Sequence, residues 1–256
     1  MRAPNLLAIA VVIMGLVLAA SAGFAFWPSL LRPVLIALGL EHAPPRVYTV
    51  QERLDEIGPA ASARLKAYFA AAGVAYPPAA ITLVGLKSER TLQLYARGSG
   101  ADSSWKIIHI YQVKAASGHL GPKLREGDKQ VPEGVYGIDT LNPKSHYNVS
   151  MRVSYPNAFD KARAAEEHRD NLGGDIMIHG RAASIGCLAM GDPASEDLFT
   201  LAASVGIGNV AVIIAPLDLR TQPRPAVDGA PAWLPTLYSQ IEQALKPFPA
   251  PSGSAS

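Results

Sequence analysis

The chain has 256 residues, of which 49% are hydrophobic and 17% charged, enough apolar material for a substantial core and too much for a mostly disordered chain or a coiled coil. A formal net charge of +2 creates no field that would draw a polyanion, so no nucleic-acid partner is implied. The single cysteine, Cys187, excludes a disulfide within the chain and any multi-cysteine zinc site, and neither a metal nor another cofactor is expected.

Leu6–Ala20 is almost wholly apolar and follows a short stretch whose only charged side chain is Arg2. Ala20-Ser21-Ala22 supplies small residues at the spacing a signal peptidase reads. Leu6–Trp27 is also free of charge and as a helix would rise about 33 Å, enough to cross a bilayer. Cleaved signal peptide and uncleaved inner-membrane anchor therefore both stay open for residues 1–27, and either exports the rest of the chain to the cell envelope, the periplasm. Residues 28–46 read as an apolar, proline-bounded spacer. Over residues 51–72, Leu54, Ile57, Ala61, Leu65, Tyr68 and Ala72 recur at helical spacing, with a break expected at Gly58-Pro59.

The pattern then changes to period two. Ile81–Leu86, Thr91–Tyr95 and Trp105–Tyr111 read as strands separated by turn chemistry. Ser117–Gly137 reads as a Gly/Pro-rich loop with a turn at Pro132-Glu133-Gly134, and a further strand surrounds His146 to Val153. Residues 159–171 suggest a helix, and Asp175–Ile178 a short buried strand whose end presents His179. Asp192 is the expected N-cap of a helix with Pro193 at its first position. Asn209–Ala215 is a strongly apolar strand. Pro223, Pro225 and Pro231 mark a linker before an amphipathic helix carrying Leu234, Leu237, Ile241 and Leu245, and a disordered tail closes the chain. The fold class is mainly β with a few helices, its compact unit running from about Pro78 to Pro216.

The chemistry concentrates in Ile178-His179-Gly180-Arg181-Ala182-Ala183-Ser184-Ile185-Gly186-Cys187. A thiol becomes a competent nucleophile when a histidine takes its proton, and here the two residues are joined by a loop of small side chains. Gly186 lets the backbone approach closely, and the amides of Gly186 and Cys187 are candidates for an oxyanion hole. The alternative for Cys187 is a small buried hydrophobe, and for His179 a satisfied core histidine. Ser184 is either an orienting hydroxyl or a turn former. Arg181 suits a substrate carboxylate and equally a solvated loop. His146 and Tyr147 are tentative cleft residues. His109 is expected to be packed on its strand, and Lys123, Arg125 and Lys129 to form a solvated loop face. A nucleophilic Cys187 is expected to be readily alkylated.

The string His-Gly-x-x-x-Ser-x-Gly-Cys resembles the catalytic motif of YkuD-type L,D-transpeptidase catalytic domains, in their YafK-like branch. Ser117–Asp128, Pro132-Glu133-Gly134, Leu141-Asn142-Pro143 and Tyr155–Asp160 resemble further signatures of that branch in the same order, over roughly residues 79–216. The resemblance implies an L,D-transpeptidase-like β-sandwich catalytic domain at 79–216, preceded by the signal or anchor and by a spacer and helical segment at 28–78. A proline-rich linker, short helix and tail follow at 217–256. It implies an enzyme of cell-wall biogenesis and cell shape acting on peptidoglycan stem peptides, with Cys187 forming a thioester and His179 moving the proton. Gly180, Ser184 and Gly186 would support the loop or the oxyanion. Many members carry a second histidine two positions before the cysteine, where this chain has Ile185. An amine acceptor would make the enzyme a transpeptidase, and water a hydrolase that releases crosslinks or peptidoglycan-linked lipoprotein. A non-catalytic envelope-binding module is the reading from a different class.

Overall fold

The computed structural model describes residues 48–98 and 104–251; the apolar segment 6–27 lies outside them. The first helix begins where Thr49 and Glu52 satisfy each other's backbone amides, a reciprocal cap that opens α1 (Val50–Ala71). The break expected at Gly58-Pro59 does not occur, and the helix runs through Pro59. Proline removes one ladder bond there, but Ile57, Ala61, Leu65 and Phe69 are all buried on the inner face, the three larger side chains each contributing about 1.5–3 kcal/mol when fully covered. Among the described residues no helix is long and apolar enough to cross a membrane.

Among the described residues eight strands follow: β1 (Ala80–Leu86), β2 (Thr91–Arg97), β3 (Lys106–Gln112), β4 (Gly134–Ser145), β5 (Asn148–Val153), β6 (Met177–His179), β7 (Leu188–Ala189) and β8 (Val210–Ala215). They lie in the order β3-β2-β1-β8-β4-β5-β6-β7. β4 joins two halves. Gly134–Gly137 pairs with β8, whereas Ile138–Ser145 pairs with β5 across two register irregularities, the usual way for a strand to pass from one packed sheet to another. The far edges also meet, because Ala115 bridges Ala189 just beyond β3. The result is the mainly β, sandwich-like body that the sequence implies.

Alternation along the central strands divides the apolar side chains between two cores. Leu83, Val212 and Ile214 join the core beneath α1 and α3 (Asp192–Val205), while Val84, Ile213 and Ala215 face α4 (Leu234–Leu245). The chain beyond α4 is packed where described: Phe248 is buried, and the Pro249 carbonyl accepts from the Tyr95 hydroxyl at 2.7 Å. The helix read in residues 159–171 is the shorter α2 (Ala158–Glu166), capped by Asn157 and Asp160. Two strands had no clear signal. β4 lies where glycine, proline and asparagine suggest loop, and the two residues of β7 are too few for any period to show.

Candidate active site

β6 and β7 set the geometry. They are parallel, with Ile178 opposite Leu188 and His179 opposite Ala189. One step back in this register Cys187 falls beside Met177, and the Met177 N–H donates to Cys187 Sγ at 3.4 Å. A strand rises about 3.3 Å per residue and neighbours lie about 4.8 Å apart, so the Cα atoms of Cys187 and His179 are separated by roughly 8 Å. Their side chains point to the same face. Eight residues of sequence separation have become adjacency across a strand pair.

His179 is 2% exposed. Its Nδ1 lies 2.6 Å from the Gly180 carbonyl. A carbonyl only accepts, so Nδ1 carries the proton and Nε2 holds the free lone pair. The Tyr147 ring covers the imidazole at a centroid distance of 4.6 Å. Burial lowers the His179 pKa below its ordinary value, opposed by the bond to Gly180, so the ring is neutral near pH 7.

Cys187 is half-buried, and burial raises its pKa, against the lowering effect of the Met177 amide. The thiol donates to the Asp175 carbonyl at 3.6 Å, a bond that requires the S–H form. Among the described hydrogen bonds none joins Cys187 to His179. The resting pair is therefore a neutral thiol beside a neutral imidazole. The expected ready alkylation does not follow from this state, because the reactive thiolate is disfavoured until the histidine acts as base.

The loop between them is held by side-chain hydroxyls. Ser184 Oγ accepts from the Cys187 amide at 2.9 Å and donates to the Cys187 carbonyl at 2.5 Å. Ser117 Oγ accepts from the Gly186 amide at 2.6 Å and donates to the Lys129 carbonyl at 2.7 Å. Both amides expected to form an oxyanion hole are thus already engaged at rest. Gly186 adopts φ 90°, which disfavours a side chain there. At Gly180 the obstacle is space: a Cβ would meet Asp192 Oδ1 at 2.5 Å and the Tyr147 carbonyl at 2.6 Å.

The remaining sequence candidates separate. Tyr147 reaches the site, whereas His146 is exposed on the same two-residue turn. Arg181 has φ 56°, and its amide donates to Asp192 Oδ1 at 2.8 Å. That bond explains a correction: Asp192 is the first residue of α3, not its cap, because its carboxylate serves Arg181 while Gly191 occupies the cap position. Lys123 is not solvated. It is buried, with Nζ 2.6 Å from Asp128 Oδ1, and Asp128 also accepts the amides of Leu124, Arg125 and Gln130. His109 is packed as expected, stacked on Tyr68 at 3.9 Å.

Ser117 is the important residue that local reading missed. It lies far from Cys187 in sequence, and only the folded loop brings its hydroxyl to the Gly186 amide. Two features anchor that loop: Lys87 Nζ donates to the Gly121 and Val131 carbonyls at 2.9 and 3.0 Å, and Glu133 Oε1 accepts from the Gly121 amide at 2.7 Å and from Lys87 Nζ. Among the described residues no group of three His, Cys, Asp or Glu side chains is placed to hold a metal ion.

Residues 80–214, more than half of the chain, match the family model YkuD, L,D-transpeptidase catalytic domain. The chain belongs to that family. It is 37% identical over 138 residues to the YafK protein of Escherichia coli (strain K12), and to its counterpart in Escherichia coli O157:H7. Each alignment covers 52% of this chain, which spans about half the length of those curated relatives. Among solved structures, the helical cell shape determining protein Pgp2 of Campylobacter jejuni matches with a TM-score of 0.43 and 23% identity, over 54% of this chain and 48% of that one. Mycobacterium tuberculosis L,D-transpeptidase 1 matches with a TM-score of 0.31 and 13% identity, over 53% of this chain and 62% of its own.

Proposed function

We propose that this chain is a cysteine acyltransferase of the cell envelope that acts on peptidoglycan stem peptides. The observation that carries the reading is the parallel pairing of β6 with β7 inside the family-matched region, which sets the only cysteine of the chain beside a buried histidine with a free Nε2.

Attack begins when Cys187 Sγ leaves the Asp175 carbonyl and gives its proton to His179 Nε2. Sulfur bonds to the substrate carbonyl carbon and the carbonyl electrons move to oxygen. The Gly180 carbonyl stabilises the imidazolium that forms by accepting from Nδ1–H. The Gly186 and Cys187 amides serve the oxyanion only by exchanging the Ser117 and Ser184 hydroxyls for it. Collapse expels the amine, which takes the proton from Nε2, and leaves a thioester on Cys187. A second amine resolves that thioester to a new amide. Each step exchanges one acyl bond for another, a C–S bond forming as a C–N bond breaks or the reverse, with His179 moving the proton.

In this account Gly180 and Ser184 set the loop, and Tyr147 shields the imidazole from water. Export to the envelope follows from the apolar N-terminal segment, and inner-membrane anchoring is its form if that segment stays uncleaved. The test is product analysis after incubating the purified protein with intact peptidoglycan. A gain of crosslinked muropeptides that depends on Cys187 is expected. Cleaved muropeptides or released lipoprotein, with no new crosslinks, would instead make the protein a hydrolase with the same thioester. No Cys187-dependent change would leave it a binding module.

A further inference from the structure

Asn148 opens β5 at the foot of the turn that carries Tyr147, with φ 74°. Asparagine tolerates that left-handed backbone better than most residues. Its side-chain amide is used at both ends: Oδ1 accepts from Arg53 of α1, and Nδ2 donates to Glu196 Oε1 of α3 at 2.9 Å. This orientation is chemically forced, because a guanidinium only donates and a carboxylate only accepts. Arg53 is also bonded to Glu56 at 2.6 Å and its side chain is 14% exposed. Glu196 lies 3.7 Å from Arg64, a second arginine of α1. One side chain thus ties the turn to two helices, in a place largely sheltered from water.

On its other side the turn leads to the imidazole. The Gly180 amide donates to the Tyr147 carbonyl at 3.0 Å, and the Tyr147 ring lies on His179 with centroids 4.6 Å apart. Tyr147 is itself 41% exposed, so little packing holds it from outside and the turn decides where its ring stands. α1 precedes residues 80–214, the stretch that matches the family model. The contact therefore reaches His179 from a helix outside the matched domain.

We propose that Arg53 and Asn148 are positioning residues: their tie holds the Tyr147 ring on His179, and α1 is a working part of the catalytic unit. The inference rests on the reading that His179 is the base for Cys187. A covered ring stays neutral and keeps one orientation, with Nε2 available to the thiol. Loosening the turn admits water, frees the ring and lets its pKa return toward the ordinary imidazole value, since burial is what lowers it. The other groups facing this ring are Cys187 on β7 and, across Gly180, the Asp192 carboxylate and Arg181. Substitution of Arg53 or Asn148 leaves all of them in place.

The test is an NMR pH titration of the His179 ring in the full chain without substrate, beside kcat, KM and the pH profile of acyl transfer. Arg53→Met removes the donor, and Asn148→Gly keeps the left-handed backbone while removing the tie. Both are expected to raise the His179 pKa, move the acid limb of kcat/KM to higher pH and lower kcat about 10- to 100-fold, with KM within about threefold. Arg53→Lys, which keeps a donor, is expected to recover most of the rate. Tyr147→Ala is expected to raise the pKa alone, and adding Arg53→Met to it to give no further shift. A further shift in that double variant overturns the proposal. So does an unmoved titration in folded Arg53→Met and Asn148→Gly, or a moved titration with kcat and the acid limb unchanged. Loss of the fold in both would make the tie part of the framework and overturns it as well. A wild-type chain that forms no acyl-enzyme sinks the acyltransferase reading, and the substrate-free titration then still decides whether the tie holds the ring on the imidazole.

Discussion

The central strands and the loop between His179 and Cys187 are held by different means. β1 and β8 pair along their whole lengths, bury nearly every side chain and separate two apolar cores. Residues 181–185 bury almost nothing, and Ile185 stands 76% exposed two positions before Cys187. Order in that loop comes from hydroxyl bonds at Ser117 and Ser184, and from a glycine that fits only because it has no side chain. The framework fixes where His179 stands, whereas a few polar contacts fix how Cys187 is presented. Damage to the first should cost stability, and damage to the second should cost rate.

The largest expected effect is Cys187→Ala. Acyl-enzyme should vanish and turnover fall by more than about 10³-fold with the thermal midpoint nearly unchanged, measured by mass and by calorimetry. His179→Gln should lower kcat by about 10²- to 10⁴-fold while the thiol remains present and titratable. With wild type, kcat/KM should fall on the acid side only below the ordinary imidazole range, because burial lowers the His179 pKa and keeps it a base to lower pH. Alkylation of the free enzyme by iodoacetamide should still be rising with pH where an ordinary thiol has levelled off, because the Cys187 thiol is pushed up. A plateau of fast alkylation at neutral pH would show a preformed ion pair instead.

Gly180→Ala tests the boundary between the two regions. A methyl at 2.6 Å from the Tyr147 carbonyl forces the hairpin away from the strand end, and should cost about 1–3 kcal/mol of stability along with the position of His179. Ser117→Ala should be milder: roughly tenfold in kcat with KM little changed, and about 1 kcal/mol or less in stability. Ser117→Thr, which keeps the hydroxyl, should recover most of the rate. A Ser117→Ala enzyme that lost stability but kept its rate would place that serine in the framework.

Much of this is legible in the sequence itself. The apolar run of Asn209–Ala215 and the alternation around Ile81–Leu86 marked the central strands because burial on both faces leaves a continuous apolar signature. His179 at a strand end and Cys187 after a glycine were visible as local chemistry. β4 was not, since its pairing on two sides overrides loop-like residues such as Gly137, Asn142 and Pro143. Nor was the engagement of the Gly186 amide, which depends on Ser117 returning through a loop closed by Lys87 and Glu133. The burial of Lys123, expected on a solvated loop face, is illegible for the same reason: its partner Asp128 is close in sequence, but only the folded loop removes the pair from water.

The most direct test of the central claim is the intact mass of the full protein after mixing with a disaccharide-tetrapeptide, with Cys187→Ala in parallel. Wild type is expected to gain the mass of the peptide minus that of the free amino acid it expels, and the variant is expected to gain nothing. A wild-type protein that gains no mass and releases no product, or a gain that persists without Cys187, would contradict it.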